Sequence, residues 1–177
     1  MTDQQNDLLK FPIGKFQPPK VITPELIKQS VKEIEALPAR LREVVSKMGK
    51  AHHDKSYRPG SWNARQVLYH IGDSHLHSYI RFKWALTENS PVIKAYEQNG
   101  WAELFDSVDS DMEDSLLFIE VLHKRWVKLL KSIPKEGWDK IFVHPEMKRE
   151  ISLKWTVALY AWHGNHHLGH LKIIAAG

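Results

Sequence analysis

The stretch from Leu153 to Ala176 constrains this chain most: 24 residues without a proline, apolar on nearly every side, with Ser152 placed to cap its start. A helix of that composition has to be buried over most of its circumference. Its cover must come from other helices, because almost no period-two alternation is present from which a sheet could be built. Three segments qualify. Thr23 followed by Pro24 reads as an N-cap with proline at the first helical position, flanked by an Ile22/Ile27 staple. From there Ile27, Val31, Ile34, Leu37, Leu41, Val44 or Val45, and Met48 recur at the spacing of one buried face; Pro38 is expected to kink this helix and Gly49 to end it. A second helix is expected over residues 62–87, capped by Ser61 or by Asn63, the latter putting Gln66 in the capping-box position. A third starts at a Ser110/Glu113 capping box, carries Met112, Leu116, Ile119, Leu122, Trp126, Leu129 or Leu130, and Ile133 on one face, and closes at Pro134.

The expected fold class is all-α, a four-helix bundle forming one domain over residues 1–177. Residues 89–109, with Pro91 and Gly100, make a connection with one short helix of its own, long enough to cross the end of the bundle in a crossover topology. Residues 141–151 read as a small hairpin or extended loop, and residues 1–22, with Pro12, Pro18 and Pro19, as an extended arm along the surface.

Composition narrows the chemistry. The chain has no cysteine, so disulfides, thiolate metal sites and cysteine nucleophiles are excluded, and any metal must be held by His, Asp or Glu. The 25 basic against 21 acidic residues are too mild an excess to indicate nucleic acid. Neither a signal-peptide h-region nor an apolar run of membrane-spanning length is found, so a soluble cytoplasmic protein is expected. Eleven histidines, however, stand well above ordinary usage.

Four of them, His163, His166, His167 and His170, fall within eight residues of the last helix. His163 and His167 stand one turn apart on one face, and so do His166 and His170; either pair can offer two imidazoles to one ion. A third ligand must come from another element. On the second helix His70 sits among Val67, Leu68 and Ile71, where a core-facing imidazole needs a partner. His75 is expected to face elsewhere, and His77 lies too far along the axis to share an ion with His70. Asp73, one turn from His70, can orient a ligand, bind the ion or accept a proton. The expected constellation is His70 plus one pair from the last helix, with an open position for water.

Bland roles are expected for the rest: His123 and His144 as surface or satisfied structural residues, His52 and His53 as loop residues, Trp126, Trp155 and Trp162 as core packing, and Trp62 and Trp101 as core packing in preference to lining a pocket mouth. The protease pattern HExxH is absent, Gly164 standing where its glutamate would be.

The segments Trp62–His75, Ser78–Lys83 and Leu159–His170 resemble the DinB/YfiT-like family of metal-dependent hydrolases, closest to its YfiT branch. The resemblance extends from the Phe11–Phe16 arm to the last helix. It implies a four-helix bundle, often a homodimer, binding one zinc or nickel ion through His70, His163 and His167, with His166 and His170 beside the site. The implied activity is hydrolysis of a small-molecule substrate with water in the open position, for which Asp73 is the candidate proton acceptor. Related proteins are thiol transferases acting with a low-molecular-weight thiol, for which Arg65, Tyr79 and Arg81 are candidate mouth residues, a solvent-facing place on the helix being the expected role of each. A non-catalytic metal-binding bundle is the remaining alternative.

Overall fold

A computed structural model describes residues 3–109 and 111–177. Its elements follow the order α1 (Asp3–Lys10), α2 (Pro24–Lys47), α3 (Ala64–Thr87), α4 (Gln98–Ala102), α5 (Phe105–Val108), α6 (Met112–Ser132), β1 (Ile141–His144), β2 (Arg149–Ser152) and α7 (Leu153–Ala176). The four long helices α2, α3, α6 and α7 form the bundle. Their starts are written locally. The Thr23 hydroxyl accepts from the Leu26 amide, Asn63 and Gln66 make a reciprocal capping box, and the Ser152 hydroxyl accepts from the Trp155 amide. Asp111 caps α6 through the Glu113 amide; the expected cap at Ser110 lies outside the described residues.

Both α2 and α3 pack mainly against α6 and α7, so α2 lies diagonally opposite α3, and α6 opposite α7. The crossings therefore fall on the first and third connections, while the long 89–109 connection joins the neighbours α3 and α6. That connection carries two short helices rather than one. β1 and β2 pair antiparallel with Ile141 opposite Ser152 and His144 opposite Arg149, which is the expected hairpin.

The expected arm over residues 1–22 needs a correction. Its prolines dictate extended backbone only from Pro12 onward, and the preceding stretch, free of proline and glycine, forms α1. The extended part lies on α7: the Trp162 Nε1–H donates to the Gly14 carbonyl at 3.3 Å. Gly169 lets it approach, since a Cβ there would sit 2.7 Å from Pro12 Cγ.

The core is divided in two. One apolar cluster includes Ile34, Phe82, Trp126, Leu130, Val157 and Tyr160, the other Leu37, Leu41, Leu68, Ile71, Ile119 and Leu168. On each of α2, α3, α6 and α7 the chain passes from one cluster to the other, and on α3, α6 and α7 the residues in between include histidines.

Candidate metal centre

Between the two clusters α3 contributes His70 and His75, α6 contributes His123, and α7 contributes His163 and His167. His75 is fully buried at 0% exposure. One ligand atom from each of His70, His163 and His167 lies within 4.8 Å of the others. The closest approach is His70 Nε2 to His163 Nε2, at 3.2 Å. Two imidazole nitrogens on one tetrahedral ion at 2.0–2.1 Å stand about 3.3 Å apart, so the observed spacing suits such an ion. A second group, His166, His167 and His170, shares His167 but uses α7 alone.

Hydrogen bonds behind these rings select their tautomers. His123 Nδ1 lies 2.7 Å from the Ile34 carbonyl, which can only accept, so that nitrogen carries the proton. His123 Nε2 must then accept, which puts a proton on His75 Nδ1 at 2.9 Å. His75 Nε2 accepts in turn from His163 Nδ1 at 3.1 Å. The result is a lone pair on His163 Nε2, the atom facing His70. A shorter chain does the same for His167: His170 Nε2 donates to the Lys10 carbonyl at 3.2 Å, leaving His170 Nδ1 to accept from His167 Nδ1 at 3.3 Å. His167 Nε2 is thereby left with its lone pair. Imidazoles oriented by outer hydrogen bonds of this kind are what a cation site requires.

The electrostatics agree. Burial, then the neighbouring imidazoles His166 and His170, lowers the His70 pKa to about 4. His163 and His167 are pushed well below the ordinary histidine value, first by burial and then by the histidines around them. His123 is lowered to about 4 by burial, against the opposing pull of the Ile34 carbonyl. The rings are thus neutral donors at physiological pH.

A cavity of about 400 Å³ opens onto His70, His163, His166 and His167, lined also by Trp62, Trp162, Tyr57, Arg58 and Lys10. Trp62 stands 4.6 Å from the His70 ring, centroid to centroid. No carboxylate is among the lining residues.

Residues 33–171 match the family model described as the DinB superfamily, a span that contains His70, His75, His123, His163, His167 and His170. The chain belongs to the DinB superfamily. A Bacillus cereus relative of that kind, provisionally named a metal-dependent hydrolase, is 47% identical over 166 residues, covering 94% of each chain. A similarly named Oceanobacillus iheyensis protein is 45% identical over 162 residues, 92% of this chain and 93% of its own. YfiT of Bacillus subtilis, a solved structure with an unusual four-helix bundle topology, superposes with a TM-score of 0.92 at 38% identity, covering 96% of this chain and 97% of YfiT. The mycothiol-dependent maleylpyruvate isomerase shares the fold at a TM-score of 0.66 and 14% identity, over 82% of this chain and 60% of its own.

Within this DinB bundle some expectations are met differently. His75 does not face elsewhere: it lies directly behind His163, because α3 is enclosed by α6 and α7 at that level and a 140° turn from His70 still meets protein. His123 is a satisfied buried histidine, as expected, but its partner is another histidine. Trp62 and Trp162 line the cavity rather than only filling the core. Asp73 is half-buried on the side of α3 toward α5, where burial and then Asp106 raise its carboxyl to about 6; it does not line the cavity. Arg65 pairs with Asp54 at 2.9 Å, and Tyr79 packs beside Lys83 and Arg125. Arg81 is buried and lines a different cavity. The sequence signal that could have found the outer histidines is their position between apolar runs on helices already assigned to the core.

Proposed function

We propose that this protein is a metal-dependent hydrolase in which His70, His163 and His167 hold one divalent ion, zinc or, as second choice, nickel. The observation that carries the assignment is the 3.2 Å approach of His70 Nε2 to His163 Nε2, the latter stripped of its proton by the chain that ends at Ile34. Neutral imidazole sets suit both metals. When bound, such an ion supplies Lewis-acid activation of a small nucleophile. The protein's own part is to fix the three rings, wall the cavity with Trp62 and Trp162, and accept a proton. In the hydrolytic scheme that last role falls to Asp73, one turn from His70 on α3, whose carboxyl is raised to about 6; since it stands outside the cavity, the proton would reach it indirectly. The names of the relatives support the hydrolase reading.

Metal analysis of protein purified without a nickel column tests the site. We expect one equivalent, lost in His163→Ala and kept in His166→Ala; the reverse pattern assigns the ion to the His166 group and overturns the proposal. Among the described residues no helix is long and apolar enough to cross a membrane. A cytoplasmic homodimer acting on a small molecule completes the proposal, with sedimentation equilibrium reading the dimer.

A second reading, transfer of a low-molecular-weight thiol, is favoured by one feature: the cavity is lined by Lys10 and Arg58 but by no carboxylate, and Asp73 stands outside it. A thiol deprotonated at the ion needs no such base. The shared fold of a mycothiol-dependent enzyme is compatible with this reading. Screening the zinc form against ester, amide and phosphoester panels, alongside thiol conjugation of a chromogenic electrophile, separates the two. Turnover in the thiol arm alone selects the transferase, and silence in both selects a non-catalytic metal bundle.

A further inference from the structure

We propose that Arg81 anchors the carboxylate of the substrate in a second cavity adjoining the histidine site; this rests on the metal-centred reading above only for what happens at the other end of the molecule. Arg81 is 9% exposed, and among the described residues it is the one lysine or arginine that is buried. Of the partly exposed arginines, Arg40 pairs with Glu33 at 3.0 Å and Arg65 with Asp54 at 2.9 Å, while Arg58 lies over the Tyr57 ring. Arg81, the one that most needs a partner, makes no ion pair or hydrogen bond with any described residue, and its Nε is buried and unsatisfied. A fold that encloses a guanidinium without an anion retains a large desolvation penalty, which a ligand can relieve.

The space in front of it is the right kind. A cavity of about 480 Å³ is lined by Arg81 together with Ser74, Tyr96, His144, Tyr160 and His163. The Tyr96 hydroxyl is buried in the same lining, close to Ser74, and is a second donor for an anion. Two carboxylates also line the cavity, and neither neutralises Arg81. Glu97 accepts from the Asn99 and Gly100 amides at 3.2 and 2.6 Å, and Glu146 is exposed in the hairpin turn. His163, Gln98 and Asn99 line both this cavity and the one in front of His70. A molecule held at Arg81 therefore extends toward the proposed metal ligands.

The charge balance selects the ligand class. Arg81 is the one lysine or arginine of a lining that also holds Glu97 and Glu146, so the cavity can compensate no more than a single negative charge, and only at the guanidinium itself. A planar carboxylate matches that charge and the guanidinium fork, whereas a phosphate dianion is left half-compensated. The inferred substrate is a small carboxylic acid whose reacting group lies at the end away from the carboxylate.

Succinate and its neutral diamide, succinamide, are the probes, titrated into full-length protein with zinc and without it. Binding is followed by calorimetry and by the ¹⁵N resonance of Arg81 Nε–H. Succinate, but not succinamide, is expected to bind in both forms and to shift that resonance. Arg81→Gln should weaken succinate binding at least tenfold with metal content unchanged, and Arg81→Lys should restore part of it. Removing an unpaired buried charge should also raise the melting temperature of the ligand-free protein by a few degrees. Succinate binding only when zinc is present places the carboxylate on the ion and overturns the proposal. So do equal binding of the two probes, no shift at Arg81, or a fall in melting temperature in Arg81→Gln, which makes the residue structural. Because the zinc-free arm reads Arg81 alone, failure of the metal assignment leaves this test intact.

Discussion

Pro38 and His123 are linked through one carbonyl. Proline has no N–H, so in α2 the Ile34 carbonyl, four residues earlier, receives no helical hydrogen bond, and His123 Nδ1 takes its place at 2.7 Å. A proline in a helix interior ordinarily costs about 3 kcal/mol. Here the freed acceptor fixes the proton on His123, and through His75 it fixes the proton on His163. A backbone irregularity on one helix thus determines which nitrogen a histidine on another presents to the proposed ion.

His123→Phe fills the same space but removes the acceptor for His75 Nδ1, so His75 and His163 are free to change tautomer. Loss of an outer hydrogen bond of this kind typically costs about 10–100-fold in metal affinity. Competition with a chromogenic chelator should show a drop of that order in His123→Phe and none in His144→Ala. Equal affinity in wild type and His123→Phe would show that the chain has no influence on the site.

Gly164 occupies the position that a glutamate holds in HExxH proteases, and the packing leaves no room for one. A Cβ there would lie 2.4 Å from Leu37 Cδ2 and 3.4 Å from His75 Cε1. Gly164→Ala should therefore destabilise the protein by about 1–3 kcal/mol, as overpacking does. Urea unfolding reads the change, and a midpoint equal to that of wild type would mean that Leu37 yields at no cost.

Much of this arrangement is legible in the sequence, and what is not has a physical reason. Asn63 with Gln66 and Ser152 mark helix starts because capping is local chemistry. The buried faces of α2 and α6 follow from spacing: Val31, Ile34, Leu37 and Leu41 are buried, as are Leu116, Ile119, Trp126 and Leu130. Spacing on a single helix gives the angle between two side chains but not what lies at each angle. Spacing for that reason puts His75 away from the site, and only the diagonal placement of α2 and α3 between α6 and α7 shows that it meets His163 and His123. The role of Lys10 is equally remote, since its carbonyl meets His170 across 160 residues of chain.

Acid should destabilise the metal-free protein early. His70, His123, His166 and His170 are lowered to about 4 by burial first, from the ordinary value of 6.5 that applies in the unfolded chain. Between those values the unfolded state binds more protons, so stability is complete above pH 6.5 and falls as the pH drops toward 4. For the deeply buried His70 and His123 the slope approaches about 1.4 kcal/mol per pH unit each. Asp73 acts in the opposite sense over the same range, because its raised carboxyl holds a proton that the unfolded chain gives up. It is one group against several. Melting temperatures between pH 7.5 and 5 should fall steadily, with a smaller slope in His123→Phe; a flat profile would contradict the burial of neutral imidazoles.

Asp73→Asn separates the two chemical readings. At pH 7.5 the carboxylate is charged, half-buried and repelled by Asp106, so the neutral amide should raise the melting temperature by a few degrees rather than lower it. Metal content should be unchanged, since Asp73 lies outside the cavity formed by His70, His163 and His167. Activity then decides. A hydrolase that passes its proton to Asp73 should lose 10²-fold or more in kcat, about the contribution of a general base. A thiol transferase, whose thiol would give its proton to solvent when held at such an ion, should keep most of its rate. If hydrolysis is detected and Asp73→Asn leaves its kcat within a factor of two, the proton acceptor is another group, and the exposed basic lining formed by Lys10 and Arg58 offers none that is anionic. The acceptor would in that case have to be an imidazole of the cavity, with His166, whose Nδ1 is buried and unsatisfied, as the first to replace.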